Sequence, residues 1–321
     1  HRNTHNIIKL IRYICSFLKI ETIIVTETNL PEKENLSYFG KNDEANWIYN
    51  FSLAPLLIYS LLFESSTKIT EWSKSFPKSK KNNNYLNFLA SHDGIGMRPV
   101  EGILDNNIQK KFFKRLKKNG GEFSYRKIKG KGKKVYEANI TLYNAFKLSD
   151  YDKIGKFGFD RYFAAHSIMM SFEGVPAIYF NSIFGNSNDN SKFIISGNKR
   201  DLNRYRWNRV KLEKYLQNKN SKQTKYYKKM TNLLILRNKQ KAFHPNASRI
   251  TLDLGPKIFG IKRLSVDKKQ SIYCYTNMTS DNTKIILNKN ILKRKNILNS
   301  NLNVDGNILE LLPFQTVWLS N

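Results

Sequence analysis

Cysteine is scarce in this sequence, and no long hydrophobic run occurs in it. The two cysteines among 321 residues, Cys15 and Cys274, lie far apart in apolar surroundings. Two cysteines do not make the disulfide framework of a small secreted protein, so we expect reduced core thiols in a cytoplasmic protein. The absence of any run of about 18 apolar residues excludes a membrane-spanning helix, and the first residues show no signal-peptide pattern.

Acidic residues are few as well. The 25 Asp and Glu residues stand against 55 Lys and Arg, which gives a net charge of +30. A basic nucleic-acid-binding protein is therefore one hypothesis for the chain. However, the basic residues are scattered over loops and helix faces, and no helix-turn-helix or zinc-finger pattern occurs. Uncharged Asn is also abundant, so a coding bias toward Lys and Asn, with solvated basic faces and no nucleic-acid partner, is the simpler interpretation.

The chain also lacks an initiator methionine. It begins at His1 and enters the helical pattern of Thr4–Leu18 almost at once, which indicates a fragment. His1-x-x-x-His5 is a weak metal-like spacing because it lies at the start of the chain, so we expect no metal site and no cofactor. A hydrophobic content of 40% and an aromatic content of 13% are sufficient for a real core.

The most informative stretch is Leu86 to Gly102. Its residues Asn87–Ala90 are apolar enough for a short buried strand, which ends in Ser91, His92, Asp93 and Gly94. Glycine permits the sharp turn that would follow such a strand. A strand that delivers an acid and an imidazole to its carboxyl end is typical of α/β-barrel active sites. The alternative is an ordinary turn after an ordinary strand.

A second stretch has the same form. Ile20–Thr26 is apolar and β-branched, and it ends at Glu27. Two strands that each end in a carboxylate predict a pair of acids at one edge of a sheet, which is what glycoside chemistry requires.

The rest of the chain divides into segments that differ in composition and in the spacing of their apolar residues. Residues 105–156 are basic and glycine-rich, and a helix is predicted at Asn106–Lys118. This composition predicts an inserted lid over the site. For the tip at Lys127–Lys134, a solvated excursion is the better interpretation. His166, inside the apolar helix Phe159–Phe172, is expected to be a core histidine.

From about residue 246 the spacing of apolar residues changes to the alternation typical of short antiparallel strands. We predict these strands at Arg249–Asp253, Ile258–Arg263, Ser271–Thr276, Thr283–Leu287, Ile308–Leu312 and Thr316–Leu319.

Four motifs resemble a known family. The sequence resembles the sucrose phosphorylase branch of glycoside hydrolase family 13, in the α-amylase clan, and its His-Asp-Gly-Ile-Gly motif is most similar to glucosylglycerate and sucrose 6′-phosphate phosphorylases. The motifs are NFLASHDGIGMRPVEGIL (Asn87–Leu104), VTETNLPEKENLSYFG (Val25–Gly40), GVPAIYFNS (Gly174–Ser182) and DLNR (Asp201–Arg204).

The resemblance implies an α/β fold, namely the C-terminal half of a (β/α)8 TIM barrel with an inserted lid subdomain and a C-terminal antiparallel β domain. Residues 1–245 would be the partial barrel and residues 246–321 the β domain. Strands five to eight would be Ile20–Thr26, Trp47–Phe51, Asn87–Ala90 and Ala177–Phe180. The family's nucleophile, an Asp after strand four, has no counterpart in this chain.

The resemblance also implies roles for individual residues. Glu27 matches the acid/base, Asp93 the carboxylate that stabilises the transition state, and His92 a ligand of the glucose hydroxyls. Arg204 matches an arginine of the glucose subsite, although an ion pair with Asp201 is the alternative. Tyr136 resembles the tyrosine of the family's mobile loop.

The expected reaction is retaining α-glucosyl transfer between a glucoside and phosphate. The expected partners are a small-molecule sugar substrate and inorganic phosphate, with no nucleic acid and no membrane. The family's sucrose-specific pattern has an acid two residues before the loop tyrosine, where this chain has Lys134. Together with Arg98, this difference predicts an anionic acceptor, such as glycerate or a sugar phosphate, in place of fructose. An α-glucosidase or transglucosidase of the same clan is the alternative. Without its nucleophile, the chain alone is expected to be inactive.

Overall fold

The structure is a computed structural model that describes residues 2–80, 82–130 and 132–321. Of the histidine pair noted in the sequence, His1 lies outside the described residues. The first part of the chain alternates helices with short strands. These are α1 (Arg2–Phe17), β1 (Val25–Thr26), α2 (Glu32–Leu36), β2 (Trp47–Tyr49), α3 (Leu53–Leu62), α4 (Thr67–Ser75) and β3 (Asn84–Asn87).

The basic insertion then forms a helix and a β-hairpin. Its elements are β4 (Ile95–Gly96), α5 (Asn106–Lys118), β5 (Glu122–Ile128), β6 (Gly132–Asn139) and α6 (Leu142–Lys147). The helix has the predicted bounds, with Asp105 as its N-cap. The described residues of the Lys127–Lys134 tip are mostly exposed, as expected of a solvated excursion, and β5 and β6 pair there as a hairpin. Lys131 lies outside the described residues. Strand β4 joins the same sheet through β6.

The next segment is mostly helical. It contains α7 (Gly158–Ser171), β7 (Val175–Pro176), α8 (Phe180–Ile183), α9 (Asn190–Ser196), α10 (Arg209–Gln217) and α11 (Lys222–Asn238). Helix α7 is almost entirely buried, and its His166 contacts the Tyr162 carbonyl oxygen at 2.8 Å through Nδ1, as expected of a core histidine.

The four short strands β1, β2, β3 and β7 form one parallel sheet in that order. Strands β1, β2 and β7 are shorter than the sequence predicts, and β3 and β7 begin earlier than expected. Ala177–Tyr179, predicted as strand, follows β7 as irregular chain. Helix α3, which follows β2, is buried along its whole length. Because all four strands are parallel, their carboxyl ends meet at one edge, where Glu27 and Asp93 follow β1 and β3.

The first helix, α1, bears on the expectation that both cysteines are core thiols. The apolar side chains of α1, among them Ile7, Ile11 and Phe17, are exposed. The helix is attached to the rest of the chain mainly by polar contacts, including His5 Nδ1 to Glu44 Oε2 at 2.6 Å. Cys15 is therefore half-buried and only Cys274 is a core thiol, and both are free.

The C-terminal residues form antiparallel sheets, as predicted. The strands are β8 (Ser248–Leu252), β9 (Ile258–Leu264), β10 (Ser271–Asn277), β11 (Thr283–Ile286), β12 (Lys295–Asn296), β13 (Asn303–Asp305), β14 (Ile308–Leu311) and β15 (Thr316–Ser320), with α12 (Lys289–Leu292) between β11 and β12. Five of these strands form one sheet and three form a second. None of the helices in the described residues is both long enough and apolar enough to cross a bilayer.

Candidate active site

The carboxylate of Asp93 is the best-held acid at the edge of the parallel sheet. Its Oδ1 lies 2.9 Å from Nη2 of Arg204 and 2.7 Å from Nη1 of Arg200. Both arginines come from the segment after α9, where a 3-10 helix spans Lys199–Asn203. Two guanidinium groups on a partly exposed carboxylate fix its orientation.

The backbone around Asp93 is fixed by the same segment. The side-chain amide of Asn203 donates to the carbonyl oxygens of Ser91, His92 and Asp93 at 3.3, 3.1 and 2.9 Å. Arg204 adds a hydrogen bond from Nε to the His92 carbonyl at 2.7 Å. A loop whose successive carbonyls are all bonded is held in one backbone conformation, from which Asp93 meets the arginines.

The alternative ion pair between Arg204 and Asp201 is not what the structure shows. Asp201 pairs with Lys192 at 2.8 Å, and the Lys192 contact is the main reason that the pKa of Asp201 lies below its ordinary value. The guanidinium of Arg204 is directed to Asp93. The structure thus places Arg204 beside the predicted carboxylate.

Two glycines of the motif are required by close packing. A Cβ atom at Gly94 would lie 2.9 Å from both Asn139 Oδ1 and Glu137 Cδ, and one at Gly96 would lie 2.6 Å from Asn29 Oδ1. Glycine at these positions allows the hairpin and the segment after β1 to approach the loop that carries Asp93. The sequence predicted a sharp turn here, whereas the structure shows that close approach is the stronger requirement.

Glu27 lies at the end of β1 and is exposed. Its charge acts on Tyr49, at the end of β2. Burial raises the pKa of the Tyr49 hydroxyl, and the negative charge of Glu27 raises it further. Tyr49 packs against Phe51 and Phe88 in an aromatic group beside the site, with ring centroids 5.7 and 5.2 Å away.

Tyr136 lies on β6, at an irregularity in the hairpin. The register between β5 and β6 shifts there, so Tyr136 is an extra residue on its strand. Its carbonyl oxygen accepts from Met97 N at 3.0 Å and from Asn29 Nδ2 at 3.2 Å. Arg98 donates through Nη1 to the Asn29 carbonyl at 3.4 Å. Arg98 and Tyr136 are therefore both hydrogen-bonded to Asn29.

Lys134 and His92 are exposed, as is Glu27. Lys134 lies on β6, paired across the hairpin with Arg126, and forms no hydrogen bond or ion pair with Asp93 or Arg204 within residues 2–80, 82–130 and 132–321. The side chain of His92 is 65% exposed, with Nε2 3.6 Å from Asp93 Oδ1. The described residues contain no cluster of His, Cys, Asp and Glu side chains suited to a metal ion.

Sequence analysis missed Glu137 and Arg200. Arg200 donates through Nε and Nη2 to the two carboxylate oxygens of Glu137, at 2.9 and 3.1 Å. This contact is the main reason that the pKa of Arg200 is raised above its ordinary value. Both residues directly flank motifs that were recognised, since Glu137 follows Tyr136 and Arg200 precedes Asp201. The sequence therefore did contain a signal for both residues, namely a charged side chain directly beside a recognised motif to which no role had been assigned.

No family model matches the sequence. The chain is 32% identical over 323 residues to glucosylglycerate phosphorylase from Escherichia coli strain K12, and this match covers 98% of the chain and 56% of that protein. The chain thus spans about half the length of the curated relatives that it matches.

Solved structures with the same fold support this relationship. Sucrose 6F-phosphate phosphorylase from Thermoanaerobacter thermosaccharolyticum superposes with a TM-score of 0.65 at 20% identity, over 83% of this chain and 50% of that one. An α-amylase from H. orenii superposes with a TM-score of 0.60 at 14% identity, over 99% and 57%. From the sequence identity and the shared fold, the chain belongs to the sucrose phosphorylase branch of glycoside hydrolase family 13, within the α-amylase clan.

Proposed function

We propose that this chain forms part of a retaining α-glucoside phosphorylase, which transfers an α-glucosyl group between a glucoside and inorganic phosphate. The observation that carries the proposal is the fixed carboxylate of Asp93, held by two arginines at the end of a parallel strand. A second carboxylate, Glu27, follows a strand of the same sheet. The relatives of the chain are phosphorylases, including the glucosylglycerate phosphorylase described above.

In this proposal the parallel sheet corresponds to strands five to eight of a (β/α)8 barrel, in residues 1–245. The hairpin and helix of residues 105–156 form the lid, and residues 246–321 form the β domain. The parallel order β1-β2-β3-β7 is the order that consecutive barrel strands require. The nucleophile would come from outside this chain, so the chain alone is inactive.

The residue roles follow from charge and position. Glu27 protonates the leaving oxygen and later deprotonates the incoming phosphate, as a retaining mechanism requires of one carboxyl group. Asp93 stabilises the positive charge that develops on the sugar, with its orientation set by Arg204. His92, exposed beside Asp93, donates to glucose hydroxyls. Tyr136 contacts the substrate from the hairpin.

The proposed acceptor is anionic, such as glycerate or a sugar phosphate. Two cations flank the hairpin tyrosine, since Arg98 lies beside its backbone and Lys134 precedes it by two residues on β6. The Nε atom of Arg98 is buried and has no hydrogen-bond partner among the residues that the structure describes. A buried, unsatisfied guanidinium donor favours a ligand that carries negative charge.

The test uses protein expressed from the complete reading frame that contains these residues. It is supplied with α-glucose 1-phosphate and with glycerate, fructose, fructose 6-phosphate or no acceptor, and phosphate release is measured. Acceptor-dependent release that is lost in Glu27→Gln supports the phosphorylase and names its acceptor. Release without an acceptor indicates an α-glucosidase, and no release in any mixture contradicts both.

The basic residues have a separate test, because their excess also fits the nucleic-acid-binding hypothesis. We propose that they form solvated faces, with no nucleic-acid and no membrane partner, in a cytoplasmic enzyme. Fluorescence anisotropy with labelled DNA and RNA should then show only weak binding. Tight binding that falls steeply with salt would contradict this part of the proposal.

A further inference from the structure

One arginine connects two carboxylates that belong to different parts of the fold. The side edge of the Arg200 guanidinium, Nε and Nη2, binds both oxygens of Glu137 at 2.9 and 3.1 Å. The remaining nitrogen, Nη1, lies 2.7 Å from Asp93 Oδ1. Glu137 lies on strand β6 of the hairpin, whereas Asp93 follows strand β3 of the parallel sheet. Arg200 therefore connects the insertion to the candidate catalytic loop.

The burial of Glu137 makes this connection rigid. Its side chain is 4% exposed, and its carboxylate is bound on both oxygens by Arg200 alone among the described cations. A buried carboxylate that loses its partner is strongly unfavourable, so Glu137 keeps Arg200 in place. A guanidinium held along its side edge cannot rotate, and this fixes the direction of Nη1 toward Asp93.

The two arginines act on the same oxygen of Asp93. Arg204 and Arg200 both contact Oδ1, and within the described residues no hydrogen bond reaches Oδ2. The asymmetry leaves Oδ2 as the oxygen that a substrate can meet. Its position then depends on how firmly both guanidinium groups are held. Arg204 is held by the His92 carbonyl, and Arg200 is held by Glu137.

We propose that Glu137 is a positioning residue, which acts through Arg200 to set the orientation of the Asp93 carboxylate. The proposal rests on the proposed function, because it assigns Glu137 an effect on glucosyl transfer. Glu137 itself does not contact the sugar. Loss of its charge releases Arg200, and Asp93 then samples orientations that do not match the transition state. Misplacement of a catalytic group by about 1 Å can cost roughly 10²-fold in rate.

The hairpin offers a matched control. Glu101 receives both of its hydrogen bonds from Nη2 of Arg126, at 2.9 and 3.0 Å, and Arg126 lies on the neighbouring strand β5. This pair resembles Glu137 and Arg200 in chemistry and also ties the hairpin to the chain after β4. Neither of its members contacts Asp93. Glu101→Gln therefore removes a hairpin ion pair without touching the candidate site.

The experiment measures release of 4-nitrophenol from 4-nitrophenyl α-glucoside by the protein from the complete reading frame. We expect Glu137→Gln to lower kcat by about 10- to 100-fold while KM changes less than about 3-fold. Glu101→Gln should leave both constants within about 2-fold. If KM rises and kcat is unchanged, Glu137 binds the substrate directly and the proposal is wrong. Equal losses in both variants would show a general effect of hairpin stability and would also overturn it.

A double-mutant cycle tests the path through Arg200. In an Arg200→Gln background, Glu137→Gln should have no further effect on kcat, since the charge that it positions is gone. Compared with Arg200→Gln, Arg200→Lys should restore only part of kcat, because an ammonium group cannot bind both oxygens of Glu137 as Nε and Nη2 of the guanidinium do. Additive losses would contradict the proposal. This assay needs no phosphate, so wild-type turnover of the nitrophenyl glucoside without any phosphorolysis would refute the phosphorylase while leaving the Glu137 test valid.

Discussion

The two candidate catalytic carboxylates are held in opposite ways. Asp93 is bound by two guanidinium groups, and the loop that carries it is bonded through three successive carbonyls. Glu27 is exposed, and no hydrogen bond or ion pair to its carboxylate occurs among the residues that the structure describes. The direction of the Asp93 carboxylate is fixed by its partners, whereas the Glu27 carboxylate has no such partner among those residues.

The difference suits the roles proposed for the two acids. A carboxylate that stabilises a transition state must remain ionised and must not move, because electrostatic stabilisation depends on preorganised charge. An acid/base must gain and lose a proton in each cycle, and a tightly paired carboxylate does this poorly. The contrast therefore predicts different consequences when each acid is replaced.

The largest expected effect is that of Asp93→Asn. The amide keeps the shape of the side chain but removes the negative charge that faces the developing cation. We expect kcat/KM to fall by about 10³-fold for every glucoside, whatever its leaving group. Steady-state kinetics with a natural glucoside and with 4-nitrophenyl α-glucoside measure this, with the thermal midpoint as a check on folding. A loss confined to one of the two substrates would contradict the role.

Glu27→Gln should instead depend on the leaving group. We expect about 10²-fold loss with an alkyl glucoside, whose departing oxygen needs a proton. With 4-nitrophenyl α-glucoside the loss of the glucosylation step should be small, because nitrophenolate leaves without one. Burst kinetics separate that step from later ones. Equal losses with the two substrates would remove the distinction between Glu27 and Asp93.

Acid pH lowers the stability of the fold as well as the activity of the site. The effect of pH on stability must therefore be measured before the activities of the carboxylate variants are compared at low pH. Burial lowers the pKa of His166 from 6.5 to about 4. Because the folded-state pKa is the lower one, the unfolded chain takes up a proton first as the pH falls. The stability supplied by neutral His166 is complete above about pH 6.5 and is lost toward pH 4, by roughly 3 kcal/mol.

Urea unfolding between pH 7 and pH 4 measures this loss. His166→Gln should flatten the dependence of the unfolding free energy on pH, because glutamine does not titrate. His92→Gln, at a side chain that is 65% exposed, is the matched control and should leave the slope unchanged. The same steep slope in His166→Gln and in the wild type would refute the assignment.

The sequence was most informative where local chemistry decides the structure. Helix α5 has its predicted bounds because Asp105 caps it, and the strands of the C-terminal sheets follow the alternation of their residues. The parallel strands were harder to place, since a buried apolar run shows where a strand lies but not where its pairing ends. Asp93 was found by its motif. Its partner Arg200, like Glu137, was missed because a contact between distant segments leaves no periodic signal in the sequence.

The smallest expected effect concerns the acceptor, at the hairpin side of the site. Lys134 is exposed, so its attraction for an anionic acceptor is screened by water and salt. We expect Lys134→Ala to lower the ratio of kcat/KM for glycerate to that for fructose by only about 3- to 5-fold. The matched control is Lys133→Ala, which removes the neighbouring exposed charge on β6. Arg98→Gln should change the ratio more, because its guanidinium lies partly buried beside Tyr136 and is screened less. Equal rates with both acceptors, unchanged by Lys134→Ala, would show that these cations do not select the acceptor.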